Sequence, residues 1–195
     1  MSIREEQKEK RRRDILEAAL DLFSSKGYSA TRTSDIAKAV KMSDGLLFHY
    51  FSSKEVLYLE LVKMATNWIK KEETTTSKDV ISYFSNICKP FFDMSKENRN
   101  AAKMFVLMEE AQNKQVVPEK VYQLAKQVNI IEASVSILKK GQKEGIIRKG
   151  DALTLSYTFW TAFDGIMKEL AKNEHMPIPE IDWLLSIIKN EKNED

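Results

Sequence analysis

The stretch Thr33-Ser-Asp-Ile-Ala-Lys-Ala-Val-Lys-Met-Ser-Asp-Gly-Leu-Leu-Phe-His-Tyr-Phe51 constrains the chain most, because it reads as two short helices with a tight break between them. Helices this short are unstable alone, so each must be held by packing against the other and against neighbours. Ile36, Ala37 and Val40 share one face of the first helix at i, i+1, i+4 spacing. Thr33 is placed to cap it, since a hydroxyl there accepts from the unpaired amides of the first turn. Lys41 and Met42 form the break, and Ser43 is placed to cap the second helix.

On a helical wheel of ~100° per residue, the second helix puts Leu47, Phe48 and Phe51 on one arc and Gly45, Leu46, His49 and Tyr50 on the other. The first arc reads as a core face. The second gathers a glycine, a leucine, a histidine and a tyrosine near the helix start, a set that a plain surface helix seldom collects. Such a helix suits insertion into a DNA major groove, as the second helix of a helix-turn-helix.

Ile15-Leu-Glu-Ala-Ala-Leu-Asp-Leu-Phe23, Gly27-Tyr28, Thr31, Thr33, Asp35-Ile-Ala37 and Gly45-Leu-Leu-Phe-His-Tyr-Phe51, closed by Lys54, together resemble the DNA-binding domain of TetR-family transcriptional regulators. The resemblance runs over residues 10 to 57. It implies that Thr33, Ser34, Ser43, Asp44, Gly45, Leu46, Phe48, His49, Tyr50 and Lys54 lie at or near DNA. It also implies an all-α chain, with a three-helix DNA-binding domain at residues 1–54 and a helical ligand-binding and dimerisation domain at 55–195. Three positions depart from the family pattern. Lys41 stands where glycine is usual and must bear a left-handed backbone. Leu46 replaces a small polar residue and favours contact with a thymine methyl. Phe48 replaces a tyrosine and lacks its hydroxyl.

Composition agrees with an all-helical protein. Six Gly and four Pro among 195 residues are few, and no run of alternating β-branched residues suggests strands. Residues 1–54 hold 11 Lys/Arg against 8 Asp/Glu while the rest is net −1, so charge points only weakly toward nucleic acid. The single cysteine, Cys88, excludes an intramolecular disulfide. The N-terminus is charged from Arg4 onward and does not read as a secretory signal. Ala152–Phe163, the longest uncharged apolar-rich run, is too short to span a bilayer, so the expected location is the cytoplasm, away from membranes.

Residues 1–8 read as a frayed tail. Lys8, Lys10, Arg11, Arg12 and Arg13 then open the first helix, either as a solvated turn or as phosphate contacts. Ile15, Ala19, Leu22 and Phe23 form its buried stripe and Gly27 ends it. Tyr28 is expected beneath the three-helix unit. A fourth helix runs from Lys54 to Lys71, apolar on more than one face and suited to transmit movement. Thr74–Ser77 reads as a polar loop. Val80–Met94 forms a helix that Pro90 should kink or end. Ala101–Gln112 and a long helix over Glu119–Lys143 follow, the latter on the 3,4 spacing of Val121, Leu124, Val128, Ile131, Val135 and Leu138.

Ala152–Lys172 is apolar almost all round, and so is the last helix, from Ile181 to Ile188. Helices without a polar face must be covered on both sides. Either a single thick core covers them or a second copy does, and the family resemblance implies a four-helix dimer interface. The residues expected there are Leu153, Trp160, Met167, Leu170, Trp183, Leu184, Ile187 and Ile188.

Trp68, Phe84, Cys88, Phe92, Met104, Phe105, Met108, Phe159 and Phe163 supply soft aromatic and sulfur-bearing surface suited to an apolar effector, though each also reads as plain core. Asp164 and Glu109 are candidates for a polar or cation-binding contact in that pocket, and Glu109-Glu110 also reads as a solvated pair. No Gly-rich phosphate loop, metal-ligand spacing or serine elbow occurs, so neither enzyme activity nor a cofactor is expected. The expected function is a homodimeric regulator, most readily a repressor, that binds a palindromic operator and is released by a small apolar molecule. The alternative is a helical ligand-binding or protein-interaction module without DNA affinity.

Overall fold

The structure is a computed structural model that describes residues 2–73 and 79–190. The expected loop at Thr74–Ser77 lies outside the described residues. Ten helices follow one another among them: α1 (Ile3–Ala30), α2 (Thr33–Ala39), α3 (Asp44–Tyr50), α4 (Lys54–Glu73), α5 (Val80–Glu97), α6 (Asn100–Ala111), α7 (Glu119–Ala125), α8 (Ile130–Lys143), α9 (Ala152–Lys172) and α10 (Ile181–Leu185). The described residues carry no strand, only an isolated antiparallel bridge between Ile147 and Lys189. No helix among them is long and apolar enough to cross a membrane.

The chain divides into two compact units. The first takes in the described residues up to Thr66 together with Lys103–Gln127, and the second Asn67–Ala102 with the described residues from Val128 onward. The expected division at residue 54/55 does not coincide with these units, because the start of α4 and most of α6 belong with the first three helices. Tyr58 of α4 ties that arrangement together: its single O–H is shared between the Glu110 carboxylate at 2.9 Å and the Leu107 carbonyl at 3.1 Å, both on α6.

The first unit, the head, is built on α1. Ile15, Leu16, Ala19, Leu20 and Phe23 are buried at i, i+4, i+8 and i+1, i+5 positions, against Ile36 and Ala37 of α2, Leu47 of α3, and Leu57, Tyr58, Leu61 and Val62 of α4. Tyr28 packs beneath, its ring 5.0 Å from that of Tyr58. The helix begins earlier than expected. Ser2 caps it in a reciprocal box, its hydroxyl accepting from Glu5 N–H while the Glu5 carboxylate accepts from Ser2 N–H, and the supposed tail is therefore helical. Gly27 interrupts the helix at φ 81°, as its glycine required.

In the second unit, α8 packs along α9, and α10 packs on both α5 and α9. Its core is aromatic: Phe84 meets Phe159 at 4.8 Å between ring centres, Phe91 meets Phe163 at 5.6 Å and Trp68 meets Phe91 at 4.4 Å. The buried Trp160 indole donates to Ser134 Oγ at 2.9 Å, so no polar edge is stranded. Gly141 allows a close approach, since a Cβ there would stand 2.4 Å from Ile147 Cγ1.

Three helical expectations are corrected here. Of the two outcomes expected at Pro90, a kink or an end, the end does not occur: α5 continues to Glu97. A proline inside a helix costs about 3 kcal/mol, and the buried Phe84, Ile87, Cys88, Phe91 and Phe92 on the same helix outweigh it at roughly 1.5–3 kcal/mol for each large side chain. The long helix expected over 119–143 is two, α7 and α8, because Asn129 accepts from Glu132 N–H at 3.2 Å and starts a new helix. The apolar 3,4 spacing continues across that break and could not reveal it. The last helix is short, ending at Leu185 where Ile181 to Ile188 was expected.

Candidate nucleic-acid interface

α2 and α3 are joined by a Schellman turn. Met42 N–H donates to the Ala37 carbonyl at 2.9 Å and Lys41 N–H to the Lys38 carbonyl at 3.0 Å. Lys41 carries the left-handed conformation, φ 54°, that the motif demands and that glycine usually supplies. The turn directs the chain into α3, where the Ser43 hydroxyl accepts from Leu46 N–H at 3.3 Å. Thr33 forms no corresponding cap. Arg32 holds the cap position of α2 without a side-chain hydrogen bond, and the acidic Asp35 in the first turn complements the helix dipole instead.

Leu47 is the one buried residue of α3, and Phe51 just after it is also buried. These two anchors fix the helix and turn its other faces outward. Ser43, Asp44, Gly45 and His49 are exposed, Leu46 is 46% exposed and Tyr50 half-buried. Phe48, assigned by the wheel to the core arc, is instead 45% exposed and joins the outward set. On a seven-residue helix two anchors are enough, and Phe48 falls at the arc's edge. Gly45 has open space where a Cβ would stand, so its lack of a side chain leaves the surface accessible, not the core tight. Thr33 and Ser34, in the first turn of α2, are half-buried.

Lys54 sits differently from a phosphate-seeking lysine. Its ammonium donates to the carbonyls of Tyr28 at 2.7 Å and Thr31 at 3.0 Å, and lies 4.3 Å above the Tyr28 ring. Burial pulls its pKa below the usual lysine range, against the opposing pull of the Glu110 carboxylate. In this geometry Lys54 closes the C-terminal end of α1 onto α4.

Glu110 is the residue that sequence reasoning missed. Read as half of a solvated pair, it instead accepts from Tyr28 N–H at 2.9 and 3.0 Å and from the Tyr58 hydroxyl. A Cβ at Gly27 would stand 2.8 Å from Glu110 Oε1. The only signal in the sequence was Gly27 itself, whose bare backbone admits the carboxylate.

The pocket residues fall in different units. Trp68, Phe84, Cys88, Phe92, Phe159, Phe163 and Asp164 belong to the second, and Met104, Phe105, Met108 and Glu109 to the first. In the second unit Phe84, Cys88, Phe92, Phe159 and Phe163 are buried, with ring against ring. Burial also pushes the Cys88 thiol well above its ordinary pKa, which suits a small core side chain and not a nucleophile. Asp164 pairs with Lys168 at 2.8 Å, one turn further along α9.

The interface residues divide as well. Trp160, Met167, Leu170, Leu184 and Ile188 are buried inside the single chain and are not available to a second copy. The physical reason is that α8, α5 and α10 supply the cover that these side chains need. Leu153 is exposed, Trp183 is 70% exposed and Ile187 half-buried. Tyr157, not among the expected interface residues, is exposed on the Leu153 side of α9.

Comparison with known proteins agrees with the head. The family described as "Bacterial regulatory proteins, tetR family" matches residues 15–61. An uncharacterized HTH-type transcriptional regulator of Bacillus subtilis, YuxN, is 48% identical over 48 residues, which are 25% of this chain and 16% of that protein. The HTH-type transcriptional repressor KstR2 of Mycobacterium tuberculosis is 25% identical over 152 residues, spanning 76% of this chain and 75% of its own length. The solved KstR2 structure shares the fold with a TM-score of 0.70 at 20% identity, over 93% of this chain and 96% of that one. The structure of AibR in complex with isovaleryl coenzyme A and operator DNA does so with a TM-score of 0.64 at 16% identity, over 90% and 94%. Residues 15–61 thus match the tetR family of bacterial regulatory proteins, and most of the chain is similar in sequence to the transcriptional repressor KstR2 and shares its fold.

Proposed function

We propose that this chain is a ligand-responsive repressor that binds a palindromic operator as a homodimer. The observation that carries the reading is the capped α3, which turns Gly45, Leu46, Phe48 and His49 outward while Leu47 holds it to the head. In this reading Leu46 and Phe48 make apolar contacts to base edges, His49 and Tyr50 hydrogen-bond to bases or phosphates, and Ser43, Asp44, Thr33 and Ser34 border the phosphate backbone. Two copies would present their α3 helices to successive major grooves ~34–36 Å apart.

The interface is assigned to the exposed side of α9, where Leu153, Tyr157, Thr161 and Gly165 recur at four-residue intervals. The small residues at the end of that stripe allow two helices to approach closely. The effector is an apolar molecule, bound among the aromatic side chains of the second unit in place of some of their ring contacts. AibR, a neighbour in fold, has been captured with an acyl coenzyme A and its operator, so acyl thioesters are the first compounds to test. A differential affinity for the bound and released states of ~1–3 kcal/mol would serve as the switch.

Sedimentation of the full chain with duplexes selected from a random pool tests the reading. Two chains per palindromic duplex, released by one class of apolar compound, are expected. A single chain per duplex, or indifference to every effector tried, would leave a DNA-binding protein without the proposed regulation.

A further inference from the structure

α1 extends well past its own core. Ile15 is its first buried residue, so Ile3–Asp14 adds about 18 Å of helix with little to cover it. An uncovered helix this short is marginal without help, and the Ser2–Glu5 capping box supplies only part of that. The stretch is not featureless. Arg4, Lys8 and Arg11 fall at i, i+4, i+7, within an arc of about 60° that also contains Ile15. The side of the helix that enters the core from Ile15 onward therefore carries cations before it.

That side faces the recognition helix. Arg4, Lys8 and Arg11 form one wall of an open cleft of about 510 Å³, and His49 and Tyr50 at the end of α3 form the other. Gln7 and Glu5 also border it. The Glu5 carboxylate is held by Ser2 N–H at 2.7 Å and accordingly stays ionised, its pKa below the usual range. It offsets one of the three positive charges. Among the described residues no ion pair or hydrogen bond engages the side chains of Arg4, Lys8 or Arg11. Arg12, on the same helix, makes a useful contrast: it is spent on Glu60 at 2.8 Å and on the Phe51 ring at 5.0 Å, which fix α1 within the head.

We propose that the cleft between the first turns of α1 and the end of α3 grips a backbone phosphate segment of duplex DNA, with Arg4, Lys8 and Arg11 as its cationic wall. The site rests on the DNA-binding reading above and adds to it a clamp on the strand beside the groove that α3 reads. Guanidinium and ammonium groups on one helical face track a phosphate chain without reading bases, so the clamp adds affinity and salt dependence but no sequence preference.

The test titrates fluorescent duplexes, one selected and one of scrambled sequence, with the full chain from 50 to 300 mM salt. Arg4→Ala/Lys8→Ala/Arg11→Ala is compared with Lys10→Ala/Arg13→Ala, whose side chains lie on other sides of the same helix. Each phosphate contact contributes about 0.9 to the slope of log K against log salt. The triple variant is expected to lose about 2 to 3 units of slope per protomer, to weaken both duplexes by the same factor and to keep its melting temperature, since all three side chains are exposed. The double variant should lose under about half a unit. A triple variant with the wild-type slope, or one that loses no more than the double variant, overturns the clamp and leaves the regulator reading intact. A wild-type chain with no salt-dependent duplex affinity overturns both.

Discussion

The head and the aromatic unit solve the same problem with different means. In the head, α2 and α3 are seven residues each and bury three side chains between them, Ile36, Ala37 and Leu47. Area alone cannot hold elements so small. Their surroundings are pinned by directed polar contacts: Lys54 on two carbonyls, Glu110 on a backbone amide and a phenol, and Thr31 Oγ1 on the Gly27 carbonyl at 2.7 Å. In the second unit α9 alone buries seven of its 21 residues, four of them Phe159, Trp160, Phe163 and Met167. The lesson is that a surface kept free for a partner must be held from behind by few, specific bonds, whereas a unit that hides its helices can rely on bulk.

Truncation in the second unit should have the largest effect. Phe163→Ala should cost about 3–5 kcal/mol, the range for large aromatic deletions in a closed core, read as a lowered denaturant midpoint. A loss below about 1 kcal/mol would mean that the ring cluster is already loose. Trp160 belongs to the same class: Trp160→Arg should unfold the unit and would not report on dimerisation.

The head should instead respond to loss of single polar atoms. Tyr58→Phe removes the bonds to Leu107 and Glu110 and leaves a carboxylate less satisfied, at about 1–3 kcal/mol. The same phenol supplies a pH signature. Burial and the Glu110 charge raise its pKa above the ordinary 10.0. The unfolded chain therefore loses this proton first, and stability is full below about pH 10 and falls above it, by about 1.4 kcal/mol per pH unit. Denaturation from pH 8 to 11 should show this steepening in the wild type and less of it in Tyr58→Phe. Equal pH dependence in both would show that the hydroxyl is not held as described.

A smaller effect sharpens the account of the turn. Lys41→Gly relieves a left-handed backbone at φ 54° and should raise stability by about 0.5–1 kcal/mol, after the entropy that glycine adds to the unfolded chain. A destabilised variant would mean that the lysine side chain earns its place.

Much of the head was legible in the sequence because its signals are local. Ser43 as cap, the break at Lys41-Met42 and the outward Gly45, Leu46 and His49 follow from spacing and side-chain chemistry within a few residues, while the left-handed Lys41 follows from the family resemblance. What was illegible depends on residues far apart. Glu110 meets Tyr28 across 82 positions, and nothing near Glu110 announces it. Lys54 resembled a phosphate contact for the same reason, since only the fold brings the Tyr28 and Thr31 carbonyls to its ammonium. In the second unit apolar spacing located the helices but could not say which neighbour covers which face. Trp160 and Met167 were therefore expected at a surface that α8, α5 and α10 already occupy.

Base preference tests most directly whether α3 reads the groove. Fragments bound from a random duplex pool by wild type and by His49→Ala, both folded to the same melting temperature, should yield distinct profiles, altered at one or two positions in each half-site and unaltered elsewhere. Identical profiles, or a wild type that enriches no sequence at all, would contradict a groove-reading role for α3.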